Sequence, residues 1–466
     1  MSQLPTPRRA LDPHATHGPP LPLSAEQRGI WLHTQTHVDA RAYVLPIALR
    51  LIGPIDLRVL AEAFDDVVRG HQSLRTGFRL ADEGPVRQVS DACRCPFVVT
   101  PLPTSGAEDA EDPDEVSRRW MSDAMAAGFQ LDRPPLIRVG VLQYGPQQAD
   151  LLILIHHLVF DGWSASILFR DVSRAYRTIC ATGSAPAINA TADQPLAPRN
   201  AEGITPELRE RNRHYWTNIL RLDRSGSGVV HASLATGSAK SRPLLLTKAA
   251  SAAVHGLAEQ LETSEFVVVA ALLALVLSRL THHDRIVLGY PATARDLADE
   301  NAIGLFTDTL ALPVHVIDSQ SFQDLVNAVE TDHFDGLDHR PMEADRILRA
   351  TPRTHAGDGH PVFDALLAFQ NVPKVALDLP NVRVEQLPDP ERAAEFALTI
   401  TVDEVTPALR GRIDTDSAVP DGYVDRLVTG LATAAAAAAV DVGRPVGDLV
   451  VLGEPDRRLL ARVNDT

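Results

Sequence analysis

Cysteine is scarce in this chain: Cys93, Cys95 and Cys180 are the only three in 466 residues. Three thiols cannot all pair, and Cys-X-Cys is a poor spacing for structural zinc without further thiolates, so a disulfide scaffold is excluded and a reducing cytoplasm is expected. Positive charge is also short, with 44 Lys and Arg against 60 Asp and Glu and a formal balance of −16. An acidic surface repels phosphate backbones and anionic lipid, so nucleic acid is not an expected partner. Long apolar runs are missing too. The longest, Phe266 to Leu280, falls short of the roughly 20 residues that span a bilayer, so no membrane span is expected. It reads as a buried helix entered through Ser264 as N-cap and ended by Thr281-His282-His283-Asp284. The first stretch, residues 1–20, holds prolines but no apolar core; it is a Pro-rich leader, not a signal peptide.

What is present is an ordinary globular mixture, 45% hydrophobic and 22% charged, which can bury a sizeable core and excludes global disorder. The length gives a soft prior of about three domains or two large lobes. Tyr43 to Ile52 alternates as a half-buried strand does, and Asp56 then caps a helix with Leu57, Leu60, Ala61, Phe64 and Val68 on one face. Strands at Leu136 to Leu142 and Asp150 to Ile155 precede a helix at Ala165 to Cys180. Pro101 to Glu115 reads as a solvated loop. A stretch rich in proline and small polar residues over 183–206 marks a linker. Beyond it come a helix from Ser264, strands Arg285 to Tyr290 and Thr309 to Val316, and a helix Phe322 to Phe334. Strands Val362 to Phe369 and Phe396 to Val402 follow, then an alanine-rich helix around Asp425 to Val440. The fold class is α/β, in two lobes at 21–182 and 207–452.

The most informative stretch runs from Leu151 to Ser164: Leu-Leu-Ile-Leu-Ile-His-His-Leu-Val-Phe-Asp-Gly-Trp-Ser. A continuous apolar strand delivers His156 and His157, then Asp161 and Gly162, into a turn before a helix, and α/β proteins build sites at strand carboxyl ends. The bland reading is a pair of core histidines satisfied by backbone. The functional one is a general base of near-neutral pKa, a role that contributes roughly 10²- to 10⁴-fold in rate. Adjacent side chains on an extended segment point to opposite sides, so only one of the two histidines can face a substrate. Zinc would need a third ligand that the local spacing does not supply. Gly162-Trp163-Ser164-Ala165-Ser166 differs from a nucleophile elbow at its last position, and an elbow histidine lies far downstream, which leaves Ser164 as the expected cap of the following helix.

These residues resemble the His-His-X-X-X-Asp-Gly motif of nonribosomal peptide synthetase condensation domains, in the superfamily of chloramphenicol acetyltransferase. The resemblance continues in the family's order along nearly the whole chain. Leu23-Ser24-Ala25-Glu26-Gln27-Arg28-Gly29-Ile30-Trp31 is similar to the opening Ser-X-Ala-Gln-X-Arg-X-Trp element. His71-Gln72-Ser73-Leu74-Arg75-Thr76-Gly77-Phe78 resembles His-Glu-X-Leu-Arg-Thr-X-Phe, with Gln72 in place of the usual acid. Gly289-Tyr290-Pro291 with Arg295, and Ile303-Gly304-Leu305-Phe306-Thr307-Asp308-Thr309, look like two further elements, Asp308 replacing an asparagine. Arg340-Pro341-Met342-Glu343 and Phe369-Gln370-Asn371 complete the series.

The resemblance implies two acetyltransferase-like lobes in a V-shaped pseudo-dimer, with a channel entered from opposite faces by two phosphopantetheine arms. One arm presents an acyl or peptidyl thioester and the other an amine, so the implied reaction is amide formation. It further implies that His157 lies at the meeting point, that Gly162 leaves room for the donor beside the developing oxyanion, and that His156 and Asp161 are structural. Asp161 would pair with Arg295 from the second lobe, and Trp163, Ser164, Ser24, Gln370 and Asn371 would line the channel. No cofactor is expected to be bound by the domain itself. The expected partners are an acceptor peptidyl carrier protein, a donor carrier protein or acyl-coenzyme A in trans, and a following adenylation domain. Residues 453–466 resemble the start of the linker into that adenylation domain, with Val463 where tryptophan is usual. The short leader before the first motif favours a starter domain that accepts a fatty acyl group. An ester-forming or releasing acyltransferase of the same fold and a non-catalytic recruitment platform are the alternatives. Heterocyclising relatives carry Asp for the histidines, and epimerising ones continue Asp-Gly-Val-Ser-Trp-Arg.

Overall fold

The computed structural model describes residues 18–36, 41, 43–82, 84–91, 93–102, 112–185, 205–220, 239–342, 362–363, 365–370, 375–390, 396–404, 408–417, 419–453 and 456–458. Most of the leader at 1–20, most of the 183–206 linker, Asn371 and nearly all of 453–466 lie outside them, as does much of the loop expected at 101–115.

The chain forms two compact units, and the first is not one continuous stretch. To the chain before residue 204 it adds 294–307 and 372–393, where the sequence reading had two uninterrupted lobes. The reason is hydrogen bonding at long range. Arg383–Gln386 is an edge strand that pairs antiparallel with Val44–Ile52, Val384 opposite Leu51 and Gln386 opposite Leu49. The five-stranded sheet of this unit then runs Val44–Ile52, Gln148–His156, Ile137–Gly145 and Phe97–Pro101, and only its last pair is parallel. A smaller sheet joins Leu21–Pro22, Gly84–Val89 and Thr76–Ala81.

Period-two alternation decides what covers each face of the large sheet. From the central strand Gln148–His156, Leu151, Ile153 and Ile155 enter a core with Leu60, Phe64 and Val67 of helix Leu57–Gly70 and with Ile167, Leu168 and Val172 of helix Gly162–Thr182. Leu152 and Leu154 point the other way, onto Met121 and Met125 of helix Pro113–Ala126. With both faces covered, the strand is apolar throughout, which is why it reads as a continuous hydrophobic run. Asp56 caps Leu57–Gly70 as expected, accepting the N–H groups of Arg58 at 2.9 Å and Val59 at 3.2 Å.

At the start of the central strand, Asp150 is wholly buried. It faces Arg50 in register and accepts Nε at 2.8 Å and Nη2 at 3.0 Å, with the hydroxyls of Ser117 and Tyr144 each at 2.6 Å. These bonds fasten Pro113–Ala126, which carries Ser117, to the sheet.

The second unit holds a six-stranded sheet in the order Thr307–His315, Arg285–Thr293, Ala365–Phe369, Leu398–Glu404, Arg410–Asp416, Ala239–Leu245. Helix Glu265–Thr281, capped by the Ser264 hydroxyl on Val267 N–H at 3.3 Å and ended at His282 in the left-handed region (φ 59°), is buried along almost its whole length. Among the described residues one helix, Asp421–Val440, is long and apolar enough to cross a membrane; its Val424, Leu427, Leu431 and Ala434 belong to this unit's core.

Asp150→Ala strands the Arg50 guanidinium. Because Arg50 also reaches Asp114, the expected loss is at the lower end of the range for a broken buried pair, about 3 kcal/mol. Urea denaturation reads it directly, and an unchanged midpoint would refute the fastening role.

Candidate active site

The site grows out of the central strand's alternation. Continued to the strand's end, it sends His156 towards the Pro113–Ala126 side and His157 the other way. His156 is 3% exposed, its ring edge-on to Phe129 with centroids 6.1 Å apart. His157 is half-buried, its ring edge-to-face with Tyr43 at 6.5 Å.

The two imidazoles are employed differently. His156 Nδ1 accepts the Leu158 N–H at 3.2 Å, which puts the proton of the neutral ring on Nε2. Burial, reinforced by the neighbouring His157, pushes its pKa down to about 3, so the ring stays an acceptor at any ordinary pH. The Arg138 guanidinium lies over Phe129, 4.6 Å from the ring centroid, and donates to the Ala124 and Gly128 carbonyls, both at 2.8 Å, at the C-terminal end of helix Pro113–Ala126. A cation is well placed at that end of a helix dipole. His157 begins a single 3₁₀ turn, His157–Val159. Its N–H donates to the Tyr43 carbonyl at 2.8 Å, while its Nδ1 is buried with no hydrogen-bond partner among the described residues.

The turn is braced from the opening motif. Gln27 Nε2 donates to the Leu158 carbonyl at 3.1 Å. Gln27 is itself held in a capping box, its Oε1 on Ser24 N–H and the Ser24 hydroxyl on Gln27 N–H, both 3.2 Å. Ser24, expected on the channel wall, is half-buried, and its hydroxyl accepts one bond at the N-terminus of helix Ala25–Thr36.

Asp161 is the N-cap of Gly162–Thr182, where the sequence reading had assigned that role to Ser164. Its Oδ1 accepts Ser164 N–H at 2.9 Å, Ser164 Oγ at 2.7 Å and Arg295 Nη2 at 2.8 Å; Oδ2 accepts Phe306 N–H at 3.1 Å. The expected Asp161–Arg295 pair is present, with side chains 2% and 5% exposed. It does not join two lobes, because segment 294–307, which carries Arg295, is part of the first unit. Arg295 Nη1 binds the carbonyls of Asp299 and Ala302 at 2.8 and 2.7 Å, and its guanidinium packs over Phe306 at 4.3 Å.

Ser164 corrects a second expectation. It is fully buried and cannot line a channel. Its one proton goes to Asp161, and its lone pairs take the Gly304 N–H at 3.1 Å and Arg295 Nη2 at 3.0 Å. That exhausts a hydroxyl's capacity, so Ser164 has none left for a substrate or for a nucleophile's role. Segment 294–307 gains further anchors from Ser73 Oγ to the Ile303 carbonyl at 2.6 Å, Arg170 Nη1 to Asn301 Oδ1 at 2.5 Å, and Trp163 Nε1 to the Glu300 carbonyl at 3.2 Å. Trp163 is half-buried and Gly162 exposed at the helix start. Gln370 belongs to the second unit, where its N–H meets the Val402 carbonyl at 2.8 Å; Asn371 is outside the described residues. Asp308, in place of the usual asparagine, uses Oδ2 to accept Met342 N–H at 3.2 Å, which an asparagine oxygen could also do.

A family model described as Condensation domain matches residues 20–420. The chain is a member of the condensation-domain family of nonribosomal peptide synthetases. Among curated relatives, malpinin synthetase of Mortierella alpina is 27% identical over 465 residues, covering 94% of this chain and 6% of that protein. A phosphinothricin tripeptide synthetase of Streptomyces viridochromogenes is 29% identical over 458 residues, 96% of this chain and 38% of its own. The condensation domain spans about a tenth of the first relatives it matches. Its fold is that of the first condensation domain of the calcium-dependent antibiotic synthetase, with TM-score 0.72, 22% identity and coverage of 93% and 100%. The starter condensation domain of rhizomide synthetase gives TM-score 0.73, 19% identity and coverage of 93% and 100%. An X-domain from teicoplanin biosynthesis, solved with OxyB, gives TM-score 0.77, 23% identity and coverage of 94% and 97%.

Tyr43, Phe129, Arg138, Ser73 and the Gly304 backbone escaped the sequence reading as site groups. Tyr43 was visible only as the first residue of a strand pattern, and the others act through contacts distant in sequence.

Two outcomes are expected. Asp161→Ala leaves the Arg295 guanidinium and two backbone N–H groups buried without their acceptor, a loss of about 3 to 5 kcal/mol that appears as insolubility or a collapsed melting temperature; a soluble variant of unchanged stability would refute it. The low His156 pKa also gives stability a pH slope. Above the ordinary histidine value of 6.5 neither state holds a proton there. As pH falls below it, the unfolded chain gains a proton that the folded one refuses, and stability drops by up to about 1.4 kcal/mol per pH unit, continuing to about pH 3. His156→Asn, which keeps an acceptor but cannot titrate, should lack this component between pH 6.5 and 5; urea titrations of equal slope would contradict it.

Proposed function

We propose that this condensation domain transfers an acyl group from a thioester to an amine, with His157 as the general base. The observation that carries the reading is the division of labour between the two histidines: His156 is buried, neutral and bound to backbone, whereas His157 is half-buried at the strand's end with no hydrogen bond at Nδ1 among the described residues. Fold alone does not carry catalysis. The residues do: His157, Asp161 and Gly162 are all in place, and a pure recruitment platform has no need of a base.

The steps balance without a covalent enzyme intermediate. The amine nitrogen bonds to the thioester carbonyl carbon, and the C=O pair moves to oxygen. His157 Nε2 takes the proton released from nitrogen, the pair on oxygen returns to re-form C=O as the C–S bond breaks, and the thiolate recovers that proton. Thioester and amine become amide and thiol. A thioester is already activated, so holding the two reactants in attack geometry supplies much of the acceleration, with base catalysis adding roughly 10²- to 10⁴-fold. The first-turn N–H groups of helix Gly162–Thr182 lie at the positive end of its dipole, and the Gly162 position, lacking a side chain, admits the donor beside them.

The amine belongs to an aminoacyl group on the phosphopantetheine arm of a carrier protein, which an adenylation domain loads with its amino acid. The donor is a fatty acyl or peptidyl thioester on coenzyme A or a second carrier, and no cofactor resides in the domain. A fatty acyl donor would make this a starter domain.

Intact-mass measurement of an aminoacyl carrier incubated with the domain, with acyl-coenzyme A in one arm and an acyl carrier in the other, tests the reading. The acyl mass is expected on the acceptor; with a peptidyl carrier as a third arm, transfer from that donor alone would remove the starter role, and transfer in none of the three would remove the reaction. His157→Ala should fold normally and lose roughly 10²- to 10⁴-fold in turnover. Undiminished turnover would assign the base elsewhere.

A further inference from the structure

We propose that Tyr43 is a positioning residue for His157, its ring fixing an imidazole that has no hydrogen-bonded carboxylate among the described residues. The inference rests on the reading of His157 as base.

Tyr43 sits in a turn closed by the Val44 N–H on the Arg41 carbonyl at 3.1 Å. It is the third residue of that turn, and its φ is +64°. A left-handed backbone at that position is the province of glycine and asparagine, and a bulky side chain there is disfavoured. Local conformation therefore argues against an aromatic residue. An outlier of this kind is held by its surroundings and points to function.

Both halves of Tyr43 meet His157. Its carbonyl accepts the His157 N–H at 2.8 Å, which places the backbone. Its ring lies edge-to-face with the imidazole at 6.5 Å and 76°, a preferred aromatic arrangement. The strand entered at Val44 runs directly opposite His156, so the turn's conformation is transmitted to both histidines through the ladder. In a catalytic triad a carboxylate on the second ring nitrogen fixes tautomer and orientation. His157 Nδ1 has no hydrogen-bond partner among the described residues, so that means of orientation is lacking. Packing by the Tyr43 ring takes over the orienting task and leaves the tautomer free to follow the proton.

The test compares Tyr43→Phe, Tyr43→Leu and Tyr43→Gly in the transfer assay and by histidine-selective NMR, with the His157 ring signal assigned by its loss in His157→Asn. Phe keeps the ring and should hold kcat within about twofold. Leu and Gly should lower kcat by about 10- to 100-fold, the scale expected for a misplaced catalytic group, with KM for the aminoacyl carrier unchanged and the His157 signal shifted. The glycine variant, freed of left-handed strain, should melt no lower than the parent. Wild-type kcat in Leu and Gly, or a loss in Phe as large as in Gly, would overturn the assignment; so would kcat losses that merely track melting temperature. A His157 signal that moves in Leu and Gly while the parent domain transfers no acyl group would instead overturn the proposed reaction and leave the positioning intact.

Discussion

The structure of the site hangs on one carboxylate. Asp161 is 2% exposed and would be intolerable as a charge in that interior unless every lone pair were engaged. Four donors engage it, and they come from three places: the first turn of its own helix, the guanidinium of Arg295, and the backbone of Phe306. Capping a helix and drawing in a distant chain segment are thus a single electrostatic event. Segment 294–307 joins the first unit because its cation and N–H groups are what this anion lacks.

The histidine pair shows a complementary economy. A strand with two covered faces must bury something at each position, and the alternation that fills two cores also parts the histidines. His156 falls where burial and a neighbouring imidazole keep it neutral, and neutrality is the condition for accepting Leu158 N–H. His157 falls where its Nδ1 has no hydrogen-bond partner among the described residues. Arg138, Phe129 and the end of helix Pro113–Ala126 steady the first ring, while Tyr43 and Gln27 steady the turn that carries the second.

What was legible in the sequence was local. The Asp56 and Ser264 caps, the amphipathic face of Leu57–Gly70 and the buried helix Glu265–Thr281 each follow from neighbours a few residues apart, and the His-His-X-X-X-Asp-Gly run announced the site because strand, turn and cap are consecutive. The misreadings were matters of competition or distance. Ser164 and Asp161 are both good N-caps, and the choice fell to Asp161 because a carboxylate can accept the cap N–H, the Ser164 hydroxyl, Arg295 and Phe306 N–H together. The edge strand Arg383–Gln386 was missed because its partner lies more than three hundred residues earlier, at Val44–Ile52, and four residues with two charges carry little strand signal of their own. The left-handed Tyr43 backbone has no signature in composition or period at all.

The interleaving of the first unit carries a consequence in time. A nascent chain that has been made as far as residue 203 holds the histidines and Asp161 but neither Arg295 nor the strand that covers Val44–Ile52. At translation rates of about 5 to 20 residues per second, residue 393 follows roughly 10 to 40 s later. Throughout that interval the five-stranded sheet has an open edge, and for about its first half, until Arg295 is made, the Asp161 carboxylate has no cation, while most of the second unit's strands and helices are still being made. The order of synthesis therefore sets the order of completion: the active-site unit begins first and is finished only after a large part of its neighbour exists.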